Sequence, residues 1–239
     1  MTNLTNRIRN RLYAGVDRLQ VWCGLRSERA AAFRGIYRVG KWGGGAWGFY
    51  SGAGSDDDVI GPYATTVNDY IRRHNIRSVV DLGCGDFRAS SHLAPGVASY
   101  VGVDIVPELI ARNQTEFGSP TIEFRCLDVV EDPLPDGQLC LIKHVLQHMS
   151  EADIQRLVPR LHKYQHVLAM DGRRSTPVND ESAYQSGETG GWYVNGLRLD
   201  QPPFNFHTEE LLRFQHDRVM EKFLLLRIHP PAGVTDKAA

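Results

Sequence analysis

The sequence has little cysteine: Cys23, Cys84, Cys126 and Cys140 are its four, far apart and without a Cys-x-x-Cys pair. That spacing excludes a cysteine zinc cluster and a disulfide framework, so the thiols are read as reduced, mostly buried fillers. Long apolar runs are missing too. Nowhere do about 18 apolar residues follow one another, and no membrane span is expected. Residues 1–20 carry charge throughout and no compact apolar stretch, so no secretory leader is read and the expected location is the cytoplasm. An excess of either charge is also lacking: 27 Lys and Arg stand against 28 Asp and Glu, a net −1. With no aromatic-and-basic pattern for stacking single strands, nucleic acid is disfavoured as a partner.

What is present fits one α/β domain with decorations: 239 residues, 42% hydrophobic and 23% charged. The near-zero net charge hides an asymmetry. Met1 to Lys41 holds nine Lys or Arg against Asp17 and Glu28, which leaves about −8 on the rest. Leu4, Ile8, Leu12, Val16 and Leu19 recur at helical spacing within this basic stretch. The resulting helix is read as packing on the domain or on a second subunit, as in a homodimer, in preference to an anionic membrane surface. Residues 1–39 read as one or two helices. Gly40 to Gly54 is glycine-rich and carries Trp42, Trp47, Phe49 and Tyr50, which makes it either a linker or a lid over a pocket. Residues 1–55 are therefore set apart as an N-terminal helical extension and lid, with the domain proper over 56–239.

Ser55 and three following aspartates open the next helix, expected to run to His74. From Ile76 short apolar strands alternate with helices. The strands are Ser78 to Leu82, Tyr100 to Asp104, Ile122 to Cys126, Leu139 to Lys143 and Val167 to Met170. The helical stretches are Ala89 to Leu93, Pro107 to Phe117 and Glu151 to Lys163, the last capped by Ser150. This order predicts a doubly wound, mostly parallel sheet covered on both faces, with ligands at the carboxyl ends of the strands. An insertion over 172–206, rich in Gly, Pro, Ser and Asn, is too long for a plain connector. A short helix from Thr208 and a strand from Phe223 to Ile228 close the domain.

The first strand runs into Asp81-Leu82-Gly83-Cys84-Gly85-Asp86. Gly83 and Gly85 clear side chains from a backbone that must approach a ligand. A dinucleotide site has an apolar residue where Asp81 stands and a third glycine where Arg88 stands, which disfavours a nicotinamide-dependent reductase. An acid beside the glycine loop suits instead a ligand with positive charge, such as a sulfonium bearing a free amino group. Asp104 ends the second strand about twenty residues on, where a carboxylate accepts both hydroxyls of a ribose. Leu127-Asp128-Val129 follows the third, with an acid placed for an adenine amino group and apolar neighbours for the ring.

Together Val79 to Gly85, Gly102-Val103-Asp104, Leu127-Asp128-Val129 and the Leu139 to Met149 segment resemble the class I S-adenosylmethionine-dependent methyltransferases. The resemblance covers roughly Ser78 to Met170. It implies a Rossmann-like fold and S-adenosyl-L-methionine as cofactor. It also implies Asp81, Gly83 and Gly85 around the methionine part, Asp104 on the ribose, and Asp128 with Val129 at the adenine; Cys84, Ile105 and Lys143 join them as candidate cofactor contacts, Lys143 alternatively positioning the substrate or pairing with a surface acid. Phe87 departs from the pattern, since many members have a third glycine there. A second resemblance, to small bacterial methyltransferases of sugar and polysaccharide pathways, rests on Gly54-Ser55-Asp56 and Pro202-Pro203-Phe204-Asn205.

Methyl transfer from a sulfonium is a direct displacement, so a base is needed only where the acceptor must lose a proton. His144, just past the fourth strand, is the candidate base. His148, four residues on, is a pocket-lining or structural residue. Asp171 at the end of the fifth strand is the candidate ligand for Mg2+, with Asp86 as a second ligand or base. Tyr50, His148, Trp192, Tyr193 and Phe204 are the candidate substrate contacts, flat faces beside polar groups that suit a sugar ring. The expected activity is O-methylation of a sugar, an oligosaccharide or a similar polar metabolite. A small-molecule N- or O-methyltransferase of secondary metabolism, and a module that binds cofactor without turnover, are the alternatives.

Overall fold

The computed structural model describes residues 15, 27–93, 96–174, 197–216 and 219–227 of the chain. Four α-helices are described: α1 (Glu28–Val39), α2 (Asp57–Arg73), α3 (Pro107–Phe117) and α4 (Glu151–Leu157). Seven strands form one sheet: β1 (Ser78–Leu82), β2 (Ser99–Asp104), β3 (Ile122–Cys126), β4 (Leu139–Lys143), β5 (His166–Arg174), β6 (His207–His216) and β7 (Val219–Arg227). Their order is β3-β2-β1-β4-β5-β7-β6. The five strands β1 to β5 run parallel, and β7 is inserted antiparallel between β5 and β6. This is the doubly wound α/β architecture of a Rossmann-like domain. The strand order reverses between β1 and β4, so the crevice at their carboxyl ends is where a ligand fits.

Local chemistry sets the helix ends. Ser27 caps α1 by accepting from the Ala30 amide, and Gly40 ends it in a left-handed conformation whose N–H bonds back to Ile36 and Tyr37. Asp57 and Asp58 sit in the first turn of α2. Each complements the helix dipole by about 0.3–1 kcal/mol. Pro107 starts α3, where its missing N–H has no helical partner to lose. Ser150 caps α4 by accepting from Asp153, as the sequence leads one to expect.

The sheet is covered on both faces. Val79, Leu139, Leu141, Leu168, Met170 and Phe223 pack under Tyr63, Val67 and Ile71 of α2. Val80, Leu82, Cys140, Ile142 and Ala169 pack against Ile154, Leu157 and Leu161 on the other face. A third cluster joins Tyr37 of α1 to Val106 and Leu109 of α3, with Phe33, Trp42, Trp47 and Phe49 around it. Helix α1 is thereby docked on the domain it precedes.

Three expectations are corrected. The stretch from Thr208 is not a helix but strand β6, paired with β7 along its whole length around a bulge at Glu210/Leu212. Glu209, Glu210, Leu211 and Leu212 are good helix formers, and the ladder to β7 overrides that propensity. Ala89 to Leu93 is only a 3₁₀ turn, Ser90–His92. The stretch read as a helix to Lys163 is α-helical to Leu157 and 3₁₀ over Val158–Lys163. The amphipathic stretch Leu4 to Leu19, most of the 172–206 insertion with Trp192 and Tyr193, and Ile228 lie outside the described residues.

Candidate active site

A cleft opens at the carboxyl ends of β1, β2, β3 and β4. Its floor carries Gly83, Gly85, Asp104, Ile105, Asp128 and Val129, the residues read from the strand ends. Its roof is formed by Arg29, Phe33, Tyr37, Trp42 and Ser51 from α1 and the loop that follows. Trp42 and Ser51 are thus the residues of the Gly40 to Gly54 stretch that line the cleft.

The floor suits a nucleoside. Asp104 accepts from the Val106 amide on Oδ1 and from the Gly85 amide on Oδ2, at 3.0 and 3.2 Å. Each oxygen keeps a further acceptor direction toward the cleft, the pattern needed for two adjacent hydroxyls. Burial raises the Asp104 pKa to about 6, and the amides of Val106, Gly85 and Ile105 oppose the rise. Gly85 has no room for a side chain: a Cβ there would come within 2.6 Å of Ser51 Oγ, and its φ is 54°. Ser51 in turn accepts from the Asp86 amide at 2.8 Å and donates its own amide to Asp86 Oδ2 at 3.0 Å. Asp86 is thus a joint between roof and glycine loop. Tyr37 OH lies 2.8 Å from the same Ser51 hydroxyl.

Several residues expected in the site stand elsewhere. Asp81 is buried below the loop, where its Oδ2 accepts from Ser90 Oγ at 2.5 Å and Tyr100 OH at 2.7 Å, and it does not line the cleft. Alternation along β1 turns it toward the α2 face together with Val79. Cys84 packs in the same layer. Lys143 also points there, and its Nζ donates to the Gly54 carbonyl at 2.5 Å. Burial lowers the Lys143 pKa to about 8, opposed by Glu221, Asp81 and Asp86. Tyr50 donates to Asp56 at 2.7 Å under the Arg88 guanidinium, and Phe204 packs on the core. Neither lines the cleft. Trp42 does so instead, 5.3 Å from the His148 ring centroid. Asp171 is half-buried, burial raises its pKa to about 7, and its Oδ1 faces the Gln147 amide at 3.4 Å. Among the described residues no group of three His, Cys, Asp or Glu side chains converges to hold a metal ion.

His144 does line the cleft. Its amide still bonds Met170 of β5 at 2.7 Å, and a left-handed φ of 54° at this residue ends β4. A non-glycine residue held there costs on the order of 1–3 kcal/mol, which the surrounding structure must supply. The ring is fixed by a residue that the sequence reading missed. Glu221, 3% exposed on β7, accepts a hydrogen bond on Oε2 from His144 Nε2 at 2.8 Å. Burial favours the protonated Glu221, but His144, Lys143 and His216 outweigh it and hold its pKa low. Burial depresses the His144 pKa, Lys143 adds to this, and Glu221 opposes it. The imidazole is therefore neutral at neutral pH. Nδ1 is left as acceptor beside Gly54, with Lys143 Nζ 3.5 Å away. No local motif announces Glu221; 77 residues and the insertion separate it from His144.

The family model described as "Methyltransferase domain" matches residues 79–172. Among solved structures, the chain is similar to the N-methyltransferase NodS from Bradyrhizobium japonicum WM9 in complex with S-adenosyl-L-homocysteine. The TM-score is 0.52 at 12% identity, over 72% of this chain and 88% of that one. It is also similar to magnesium protoporphyrin IX methyltransferase from Synechocystis PCC 6803, with TM-score 0.51 at 15% identity over 68% of this chain and 80% of that one. Human N-acetylserotonin methyltransferase gives TM-score 0.50 at 16% identity, over 83% of this chain but 55% of that longer one. No curated protein matches the sequence.

Proposed function

Residues 79–172 carry a class I S-adenosylmethionine-dependent methyltransferase domain, with S-adenosyl-L-methionine as its cofactor, and from that premise we propose that the chain methylates a hydroxyl of a sugar or similar polar ring compound, with His144 as general base. The cofactor, when bound, supplies an electrophilic methyl group on a sulfonium.

The observation that carries this reading is the His144–Glu221 pair at the cleft. An amine acceptor attacks through its own lone pair once neutral, whereas a hydroxyl gains most from a base that takes its proton as the oxygen attacks. His144 has the features of such a base. It is neutral, its Nε2–H is held by a buried carboxylate, and its Nδ1 is the acceptor, partnered in the resting protein by Lys143 Nζ at 3.5 Å. As Nδ1 takes the proton, Glu221 stabilises the imidazolium that forms. Trp42 and His148 offer paired flat faces beside this base, suited to the apolar face of a sugar ring. The roof over the cleft keeps water from competing as acceptor.

Labelled methyl transfer to a panel of sugars, sugar alcohols and phenols tests the reading. His144→Ala is expected to lower turnover on a hydroxyl acceptor by about 10²–10⁴-fold while S-adenosylhomocysteine binding is kept. Glu221→Gln is expected to lose less and to move the acidic limb of the rate profile to lower pH, because Glu221 raises the His144 pKa. Turnover unchanged in His144→Ala, or transfer confined to amines, refutes it.

A further inference from the structure

The sequence reading gives Asp128 to the adenine amino group, but in the structure its carboxylate is already engaged. Oδ1 accepts from the Val130 amide at 3.0 Å and from Arg29 Nε at 3.2 Å. Oδ2 accepts from Arg29 Nε at 3.2 Å and Nη2 at 3.0 Å. A carboxylate has about four lone-pair directions, and three N–H donors are drawn to this one, with the Arg29 Nε–H shared between both oxygens. Arg29 goes further: Nη1 reaches Asp153 at 2.7 Å and Nη2 reaches Glu131 at 2.9 Å. One guanidinium on α1 thus ties the connection after β3 to the start of α4. The Arg29 and Asp128 side chains are only 14% and 10% exposed, so the pair is screened little by solvent.

Helix α1 presents Arg29, Phe33 and Tyr37 to the cleft. They stand four residues apart and so form one stripe along the helix. The stripe is held at its far end by Tyr37 on Ser51 and through Ser51 on Asp86, and in the middle by Arg34 Nε on Glu108 at 2.6 Å. At the near end the tie of Arg29 to Asp128 and Asp153 is the one that crosses the cleft wall itself.

We propose that Asp128 serves the cofactor site by anchoring Arg29, and that Arg29 is the latch holding α1 as a roof over the nucleoside end. Cofactor release requires the latch to open. Arg29 and Asp128 then act as one unit, and removing either frees the same roof. Were Asp128 instead a direct partner of the nucleobase, it would contribute to affinity independently of Arg29.

A double-mutant cycle on the full chain distinguishes the two. Binding and release of S-adenosylhomocysteine are measured by calorimetry and stopped-flow fluorescence, with circular dichroism to confirm the fold. Arg29→Ala and Asp128→Ala are each expected to weaken binding about tenfold, chiefly through faster dissociation. The double variant is expected to be no weaker than the weaker single variant. Additive losses, or a loss in Asp128→Ala without one in Arg29→Ala, overturn the proposal. Asp153→Asn gives a second readout: it removes one charge from the latch at a residue that does not itself line the cleft. It is expected to speed dissociation in the same direction, and unchanged dissociation there overturns the proposal even if the Arg29 variant does not fold.

Discussion

Gly54 has no side chain, and a methyl group placed there acts on the base without touching the cofactor cleft. Its Cβ would lie 2.0 Å from His144 Nδ1 and 2.4 Å from Cε1, where real carbons keep at least 3.0 Å. Gly54 does not need a left-handed backbone, so alanine fits the chain itself. The ring must therefore retreat by about 1 Å, a displacement that costs about 10²-fold in rate where a catalytic group is concerned. The same retreat stretches the 2.8 Å bond to Glu221 past the limit of a hydrogen bond. Losing a bond to a charged partner costs about 1.5–3 kcal/mol. A rate loss of about 10²-fold is about 2.7 kcal/mol, so the two routes give the same magnitude. Gly54→Ala is therefore expected to turn over a hydroxyl acceptor about 10²-fold more slowly in single-turnover methyl transfer, with S-adenosylhomocysteine affinity within twofold of wild type. The ring nitrogens seen by ¹⁵N NMR should lose the fixed tautomer that Glu221 imposes. Turnover within threefold of wild type, with the tautomer intact, refutes the reasoning.

Two further outcomes follow from the floor of the site. Asp104 can accept from two hydroxyls only when ionised, and burial brings its pKa to about 6; affinity for S-adenosylhomocysteine should therefore be flat above that pH and fall about tenfold per unit below it, and Asp104→Asn should be weak at every pH. Asp81→Ala should act on stability, since it strips the acceptor from Ser90 and Tyr100. Each buried hydroxyl left without a partner costs about 1–3 kcal/mol, partly offset by relief of the buried charge, so a Tm loss of about 5 °C is expected with affinity within threefold. Lost affinity at unchanged Tm would return Asp81 to the cofactor.

The parallel core was legible because β1, β2 and β4 are short, largely apolar runs closed by a glycine, an aspartate and a lysine. β1, β3 and β4 have the residue limits read from sequence, and β2 starts one residue earlier. Asp104 was legible for the same reason: a strand end places its side chain whatever the rest of the chain does. Asp81 was misplaced because its position in the motif does not say which face of the sheet it takes, and alternation along β1 sends it inward. β6 was misread because Glu209 to Leu212 carry a local helical preference that pairing with β7 outweighs. Arg29, Trp42 and Glu221 were not assigned because Arg29 and Trp42 reach the cleft, and Glu221 reaches His144, through tertiary docking over separations that no periodicity reports. Trp42 was visible as one of several costly aromatics in a glycine-rich stretch, but which of them faces the ligand is decided by the path of the loop.

The roof and the partner of the base both lie outside residues 79–172, one near each end of the chain. This has a consequence for synthesis on the ribosome. Arg29 emerges 99 residues ahead of Asp128, a wait of roughly 5 to 20 s at ordinary elongation rates, during which its helix has no floor to rest on. Glu221 arrives last, and only when β7 slides antiparallel between β5 and β6 does His144 acquire its partner. A nascent chain paused before β7 can hold a formed nucleoside floor and an unsupported imidazole, so cofactor binding should precede activity in the order in which the protein matures.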